Sequence, residues 1–218
     1  MISERINQLN NEIIDFASVA ESMIDKSIRG LVEGNKNLLE DVMNVDEEKA
    51  NKFETKMDEL LFQFIAQFEP KAKDLRRVLM MLQMSNDLER IGDHAVNICE
   101  SSLVLIELPK IKEFEHLPKM GSAVKEMLRG SIDAFVKSDA ELAMNICEKD
   151  NEVDDLRRDI ASELTAIMSR DPKTIERAMH LNRIAANLER IADLSTNISE
   201  DVIFIEKGKV IKHHFQSN

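Results

Sequence analysis

Two short segments carry the residues best suited to chemistry. Glu89-Arg-Ile-Gly-Asp93 recurs as Glu189-Arg-Ile-Ala-Asp193, and the recurrence extends to Asn97 and Glu100 against Asn197 and Glu200. At the helical advance of about 100° per residue, Glu89, Asp93, Asn97 and Glu100 fall within roughly 40° of one line. Met81, Met84, Leu88, Ile91, Ala95 and Ile98 fall on the opposite side. An apolar stripe therefore faces a core while the acids face away from it. The second copy sets Glu189, Asp193, Asn197 and Glu200 opposite Leu188, Ile191 and Ile198 in the same way. Carboxylates sharing a helix face repel one another by a few tenths of a kcal/mol per pair. A bound cation would offset that repulsion, and oxygen donors suit hard cations such as magnesium, manganese, calcium or iron. The competing reading is that each line is only a solvated helix face. Solvation requires polarity, not identity, yet Glu, Asp, Asn and Glu recur while neighbours differ, as in His94 against Leu194 and Val96 against Thr196. Arg90 and Arg190 are expected to pair with nearby acids at the surface, contributing on the order of 0–1 kcal/mol.

The elements that must position these lines follow from the breakers. A first helix runs from about Ser3 to Gly34-Asn35, and a second from about Asn37 to Phe68. Pro70 is expected in the first turn of a third helix, a position proline tolerates, and that helix continues to about Leu108. Residues 109–118, from Pro109 to Pro118, read as a linker. A fourth helix spans about Lys119 to Lys137, and Ser138-Asp139 caps a fifth that reaches about Ser169. Asp171-Pro172 starts a sixth helix, with Asp as N-cap and Pro at the first helical position. It ends at about Lys207, where Gly208 supplies a left-handed C′ position. The halves, 1–108 and 119–208, are thus expected to be tandem, pseudo-symmetric three-helix bundles in an all-α fold, with 209–218 as a tail.

These elements add further acids. Glu47 and Asn51 are four apart on the second helix, and Asp150 and Asp154 are four apart on the fifth. Antiparallel neighbours would bring each pair toward a carboxylate line. The second half keeps two acids there and the first half one, so the second is expected to hold metal better. Leu75, Leu79 and Leu82 continue the first acidic line toward the N-terminus of its helix, leaving that stretch apolar.

Composition agrees with helices and narrows function. Aromatics make up 4% of the chain, with no Trp or Tyr, and only six Gly and four Pro interrupt it. A formal charge of −12 argues against binding nucleic acid or anionic lipid through the overall field. No apolar run approaches the ~20 residues of a membrane span. The N-terminus lacks the pattern of a signal peptide, so a cytoplasmic location is expected. Cys99 and Cys147 read as buried, reduced, small apolar residues. Glu113-Phe-Glu-His116 has the Glu-x-x-His spacing of di-iron bundles but occurs once. His180 reads as an ordinary helix-face histidine, and His213 and His214 lie in the tail. Neither a glycine-rich phosphate loop nor a Ser-His-Asp or Cys-His arrangement is present, so no catalytic activity is expected.

The segment Phe68-Glu-Pro-Lys-Ala-Lys-Asp-Leu-Arg76, followed by Asn86 through Glu100, resembles the PhoU family of phosphate-signalling regulators. Asn187-Leu-Glu-Arg-Ile-Ala-Asp193, Asn197-Ile-Ser-Glu200 and Glu206-Lys-Gly208 carry the resemblance in the second half. It implies duplicated three-helix bundles acting as an adaptor between a phosphate ABC transporter, through its ATPase, and a sensor histidine kinase. Such an adaptor keeps the phosphate-starvation response off when phosphate is plentiful. It also implies metal ions, iron, zinc, magnesium or manganese among them, at the Glu/Asp-x-x-x-Asp helices, and a homodimer. Carried over by motif, Glu89, Asp93 and Asn97 form one site. Glu189, Asp193, Asn197 and Glu200 form the other, with Asp150 and Asp154 beside it. At the first-half counterpart, Glu47 with Asn51, Asn replaces a common Asp. Gly92, where the second copy has Ala192, is expected to allow a close helix approach. Two alternatives stay open: an accessory subunit of another phosphate transporter, and a carboxylate-based metalloenzyme.

Overall fold

A computed structural model of the chain describes residues 2–111 and 116–208. Amphipathic spacing gives α1, Ile2–Glu33, whose inner face runs through Leu9, Ile13, Phe16, Ala20, Met23 and Ile24. The second helix, α2, covers residues 36–68. Asn35 caps it by accepting from the Leu38 amide at 3.4 Å. It is α-helical over Lys36–Asp41, π-helical over Val42–Asp46 and α-helical again over Glu47–Phe68. Ala72–Ile106 forms α3, His116–Lys137 forms α4 and Ala140–Arg170 forms α5. A 3-10 turn, Pro172–Thr174, leads into α6, Ile175–Lys207.

The caps agree with expectation at Asp139, whose side chain accepts from the Glu141 and Leu142 amides, and at Gly208, which ends α6 at φ 65°. Three boundaries differ. Pro70 lies in the connection before α3 rather than in its first turn, because Lys71 is extended and supplies the N-cap. Pro118 falls inside the first turn of α4, which begins at His116. Pro172 opens a 3-10 turn rather than the long helix itself.

The helices form two layers. Contacts order the front layer as α2, α3, α6 and α5, while α1 and α4 touch each other and back it. The central pair, α3 and α6, is antiparallel. Lys73 pairs with Glu206 at one end, His94 Nδ1 lies 2.8 Å from Asn187 Oδ1, and Arg183 reaches Glu100 at 2.9 Å. Each half thus wraps one front helix and one back helix around its central helix, related to the other half by a near-twofold axis. Gly92 sits where α1 and α2 close on α3. A Cβ there would stand 3.3 Å from the Met23 methyl, the movable end of a flexible side chain, and 3.6 Å from Ala50 Cβ, so the approach is close and an alanine would need only a small shift of Met23. Arg77 locks the far end of the first half. Its guanidinium donates to Asn10 at 3.2 Å and to the Phe135 carbonyl at 3.3 Å, and it stacks over the Phe135 ring at 4.6 Å.

The π-turn has a sequence cause. Beyond it, buried Ala50, Met57 and Leu61 of α2 correspond to buried Val153, Ile160 and Leu164 of α5. Before it, buried Leu39 and Val42 correspond to Ala143 and Ile146. The two sets are offset by one residue, so α2 carries one extra residue between its cap and Ala50. The π-turn absorbs that residue, widening one turn instead of rotating everything after it by about 100°. Asp46, at its end, is buried and held by Lys26 at 2.6 Å and Lys49 at 3.0 Å. Deleting exposed Val45 is therefore expected to convert the turn to plain α-helix and shift Tm by only a few degrees. Deleting exposed Thr55 would rotate Met57, Leu61 and Phe64 out of the core. Tm is then expected to fall by more than ~10 °C in a calorimetric melt, as several kcal/mol of core packing is lost.

Candidate metal centre

In the first half, α2 and α3 present acids to one another across the front face. Glu89 is half-buried, and its carboxyl is raised by burial first, then by Asp93, Glu54 and Glu47. Glu54 is raised by burial, then by Asp58 and Asp93. The group is therefore Glu47, Glu54, Asp58, Glu89 and Asp93, with Asn51 on the same line of α2. Among the described residues, no lysine, arginine or histidine nitrogen lies within 4 Å of Glu89 or Asp93. Asp58 Oδ1 is buried and makes no hydrogen bond.

In the second half, Asp150 is the most perturbed acid. Burial, followed by Asp154, Asp193 and Glu189, pushes its carboxyl up to about 6. These are four of the acids expected to cluster there. Two cations join them: Arg157 Nε lies 3.3 Å from Glu189 Oε2 and Arg190 Nη1 lies 3.2 Å from Asp193 Oδ2.

Asn97 and Glu100 depart from expectation. They share the helical line of Glu89 and Asp93 but are drawn to the other half, where Arg183 of α6 donates to Asn97 Oδ1 and Glu100 Oε2, each at 2.9 Å. They belong to the seam between α3 and α6 rather than to the first acidic group. Asn197 and Glu200 hold the related positions on α6, half-buried; Glu200 acts on Cys147 alongside Asp150.

Glu54, Asp58 and Arg157 escaped the sequence reading. The usable signal was the heptad-like spacing Glu47, Asn51, Glu54, Asp58, which keeps all four on one face of α2. Of Glu113, Glu115 and His116, only His116 is among the described residues; His213 and His214 lie outside them. Cys99 is buried as expected, whereas Cys147 is only half-buried. Burial pushes both thiols up to about 12, so neither is a nucleophile at neutral pH.

The chemistry of the donor set fits a hard cation, being carboxylate oxygen with one amide. Among the described residues, however, no three His, Cys, Asp or Glu side chains are gathered closely enough to hold an ion as they stand. Side-chain rotation must precede any binding.

One acid outside the face shares its surroundings. Asp87 is 4% exposed, its Oδ2 has no hydrogen bond, and only Arg90 approaches, at 3.4 Å from Oδ1. The near-twofold that pairs His94 with Asn187 sets Asp87 across from Leu194, an apolar neighbour. Burial accordingly pushes its carboxyl up to about 6, against the weaker pull of Arg90. A raised carboxyl favours the fold at low pH, and that advantage is lost as pH rises from about 4 through about 6. Asp87→Asn, the residue type at 187, is expected to stabilise the protein by about 2 kcal/mol at pH 7.5 and negligibly at pH 4, in urea unfolding.

Comparison with known proteins places this frame. The PhoU domain matches residues 4–102 and again 117–202. The phosphate-specific transport system accessory protein PhoU homolog of Aquifex aeolicus is 34% identical over 96% of this chain and 95% of its own length. Homolog 2 of Thermotoga maritima is 31% identical over 97% of this chain and 90% of its own. The crystal structure of PhoU from Pseudomonas aeruginosa aligns with TM-score 0.92 and 27% identity, covering 96% of this chain and all of that one. With both halves matched by the domain and the identity spread along nearly its full length, this chain belongs to the PhoU family.

Proposed function

We propose that this protein is an accessory regulator of phosphate-specific transport. It works in the cytoplasm as an adaptor between the ATPase of a phosphate ABC transporter and a sensor histidine kinase, holding the phosphate-starvation response off when phosphate is plentiful. The observation that carries this reading is the 34% identity, over 96% of the chain, to a phosphate-specific transport system accessory protein. Two features of the molecule support it. No helix among the described residues is long and apolar enough to cross a membrane, so membrane association would come through partners. The front face also exposes apolar side chains beside its acids: Phe62 and Leu79 in the first half, Ile175 and Met179 in the second. An apolar surface rimmed by acid suits a partner surface with apolar anchors and basic residues around them. The role is regulatory rather than catalytic, in keeping with two unreactive thiols and the accessory role in the relatives' names.

Within this reading the carboxylate groups bind divalent or trivalent metal, iron, zinc, magnesium or manganese, and the protein acts as a homodimer. Glu47, Glu89 and Asp93 are the candidate ligands in the first half, and Asp150, Asp154, Glu189 and Asp193 are those in the second. In whichever half it binds, metal would offset the like charges that, after burial, raise Glu89 or Asp150, and would order the face that partners meet.

Pull-down from detergent-solubilised membranes tests the adaptor role. The ATPase and the kinase sensor region are expected to be retained, and Phe62→Asp with Leu79→Asp is expected to cut capture at least fivefold while leaving the melt intact. Capture of neither partner, at any phosphate or metal level, ends the adaptor reading. Elemental analysis tests the metal reading. Asp93→Ala with Asp193→Ala is expected to lose metal that the wild type retains, and equal trace metal in both proteins reduces the carboxylates to a solvated face.

A further inference from the structure

The two acidic groups are not equivalent, and the difference lies in their arginines. Position 157 of α5 corresponds to position 54 of α2, by the register that equates Val153 with Ala50 and Ile160 with Met57. The first half therefore places Glu54 where the second places Arg157. The side chain of Arg157 is only 18% exposed, and Nε and Nη1 are buried without hydrogen-bond partners. The guanidinium is thus held beside Glu189, at 3.3 Å, rather than moving freely in solvent.

A second arginine reinforces the contrast. Arg190 and Arg90 occupy equivalent positions on α6 and α3. Arg190 turns to Asp193 at 3.2 Å. Arg90 turns the other way, to Asp87, whose counterpart is the uncharged Asn187. Both acids of Glu189-x-x-x-Asp193 therefore have arginine partners. Among the described residues, neither acid of Glu89-x-x-x-Asp93 has one.

We infer that Arg157 is the resident cation of the second carboxylate group, occupying the place a metal ion would take, and that metal binding by these groups is confined to the first half. The inference deepens the metal reading proposed above and rests on it only for the first half. It reverses the expectation drawn from acid counts, which favoured the half with Asp150 and Asp154. An ion approaching Glu189 meets a guanidinium already seated beside that carboxylate and largely shielded from solvent. Among the described residues, an ion approaching Glu89 and Asp93 meets no cation within 4 Å of either carboxylate, only the more distant charge of Arg90, which is paired with Asp87.

Manganese(II) titration of the full chain, stripped with chelator and followed by the EPR signal of free manganese, tests this. Wild-type binding is expected to weaken at least tenfold in Asp93→Asn and to stay within twofold in Asp193→Asn. Arg157→Leu is expected to take up additional manganese, and Asp193→Asn in that background to remove it. Arg157→Gln keeps the carbon stem as far as Cδ and a polar end, and gives the same gain if the leucine variant melts early. Loss of wild-type manganese in Asp193→Asn overturns the inference, and so does unchanged uptake in both Arg157 variants. If the wild type binds no manganese while the Arg157 variants gain it through Asp193, the role of Arg157 stands and the metal reading of the native first half fails.

Discussion

The antiparallel pairing of α3 with α6 is the constraint from which the rest of the molecule follows. Each helix is more than thirty residues long, and each buries one stripe against its own half and another against the opposite half. Small side chains make this possible. Ser85, Ala95 and Ser102 of α3 and Ala185, Ser195 and Ser199 of α6 are all buried. Ser102, Ser195 and Ser199 return their hydroxyls to carbonyls four residues back, whereas the buried Ser85 hydroxyl makes no hydrogen bond. With two faces of each central helix committed to packing, only the front face remains for charge. The carboxylates stand there because the other directions are occupied.

A near-twofold seam makes every exception within a repeat matter twice. His94 meets Asn187 with a short polar contact, and the related pair is Asp87 with Leu194. One contact is satisfied and the other leaves a carboxyl oxygen buried without a partner. Duplication supplied two copies of one unit, but a twofold contact between unlike copies does not return the same chemistry at both places. The seam thus carries asymmetry that neither repeat shows by itself.

Much of the fold was legible because helix signals are local. Asp139 and Gly208 act through backbone geometry at their own positions, and the apolar stripes of α1, α3 and α6 follow a 3.6-residue period. The repeated Glu-Arg-Ile-x-Asp segment announced the duplication directly. What could not be read locally was register between helices. The π-turn becomes visible only when buried positions of α2 and α5 are set side by side, since nothing in Val42-Met-Asn-Val-Asp46 marks it. Glu54, Asp58 and Arg157 entered the front-face groups only once α2 and α5 were fixed against α3 and α6. Asn97 and Glu100 sat on the right line and joined the wrong neighbours, because spacing along a helix says nothing about Arg183 on another one.

The seam and the front face are coupled through a single pair of side chains. Arg90 is tied to Asp87 because Asp87 is charged, buried and short of partners; Arg190 lacks that attraction because position 187 is Asn, and it swings to Asp193 instead. A buried residue that touches no ligand therefore decides whether an exposed carboxylate carries a counter-ion. In this duplicated frame the two Glu-x-x-x-Asp segments thus keep the same acids and differ in their arginine partners. The motif residues stay fixed, and a single Asn-to-Asp difference three positions before an arginine redirects that arginine.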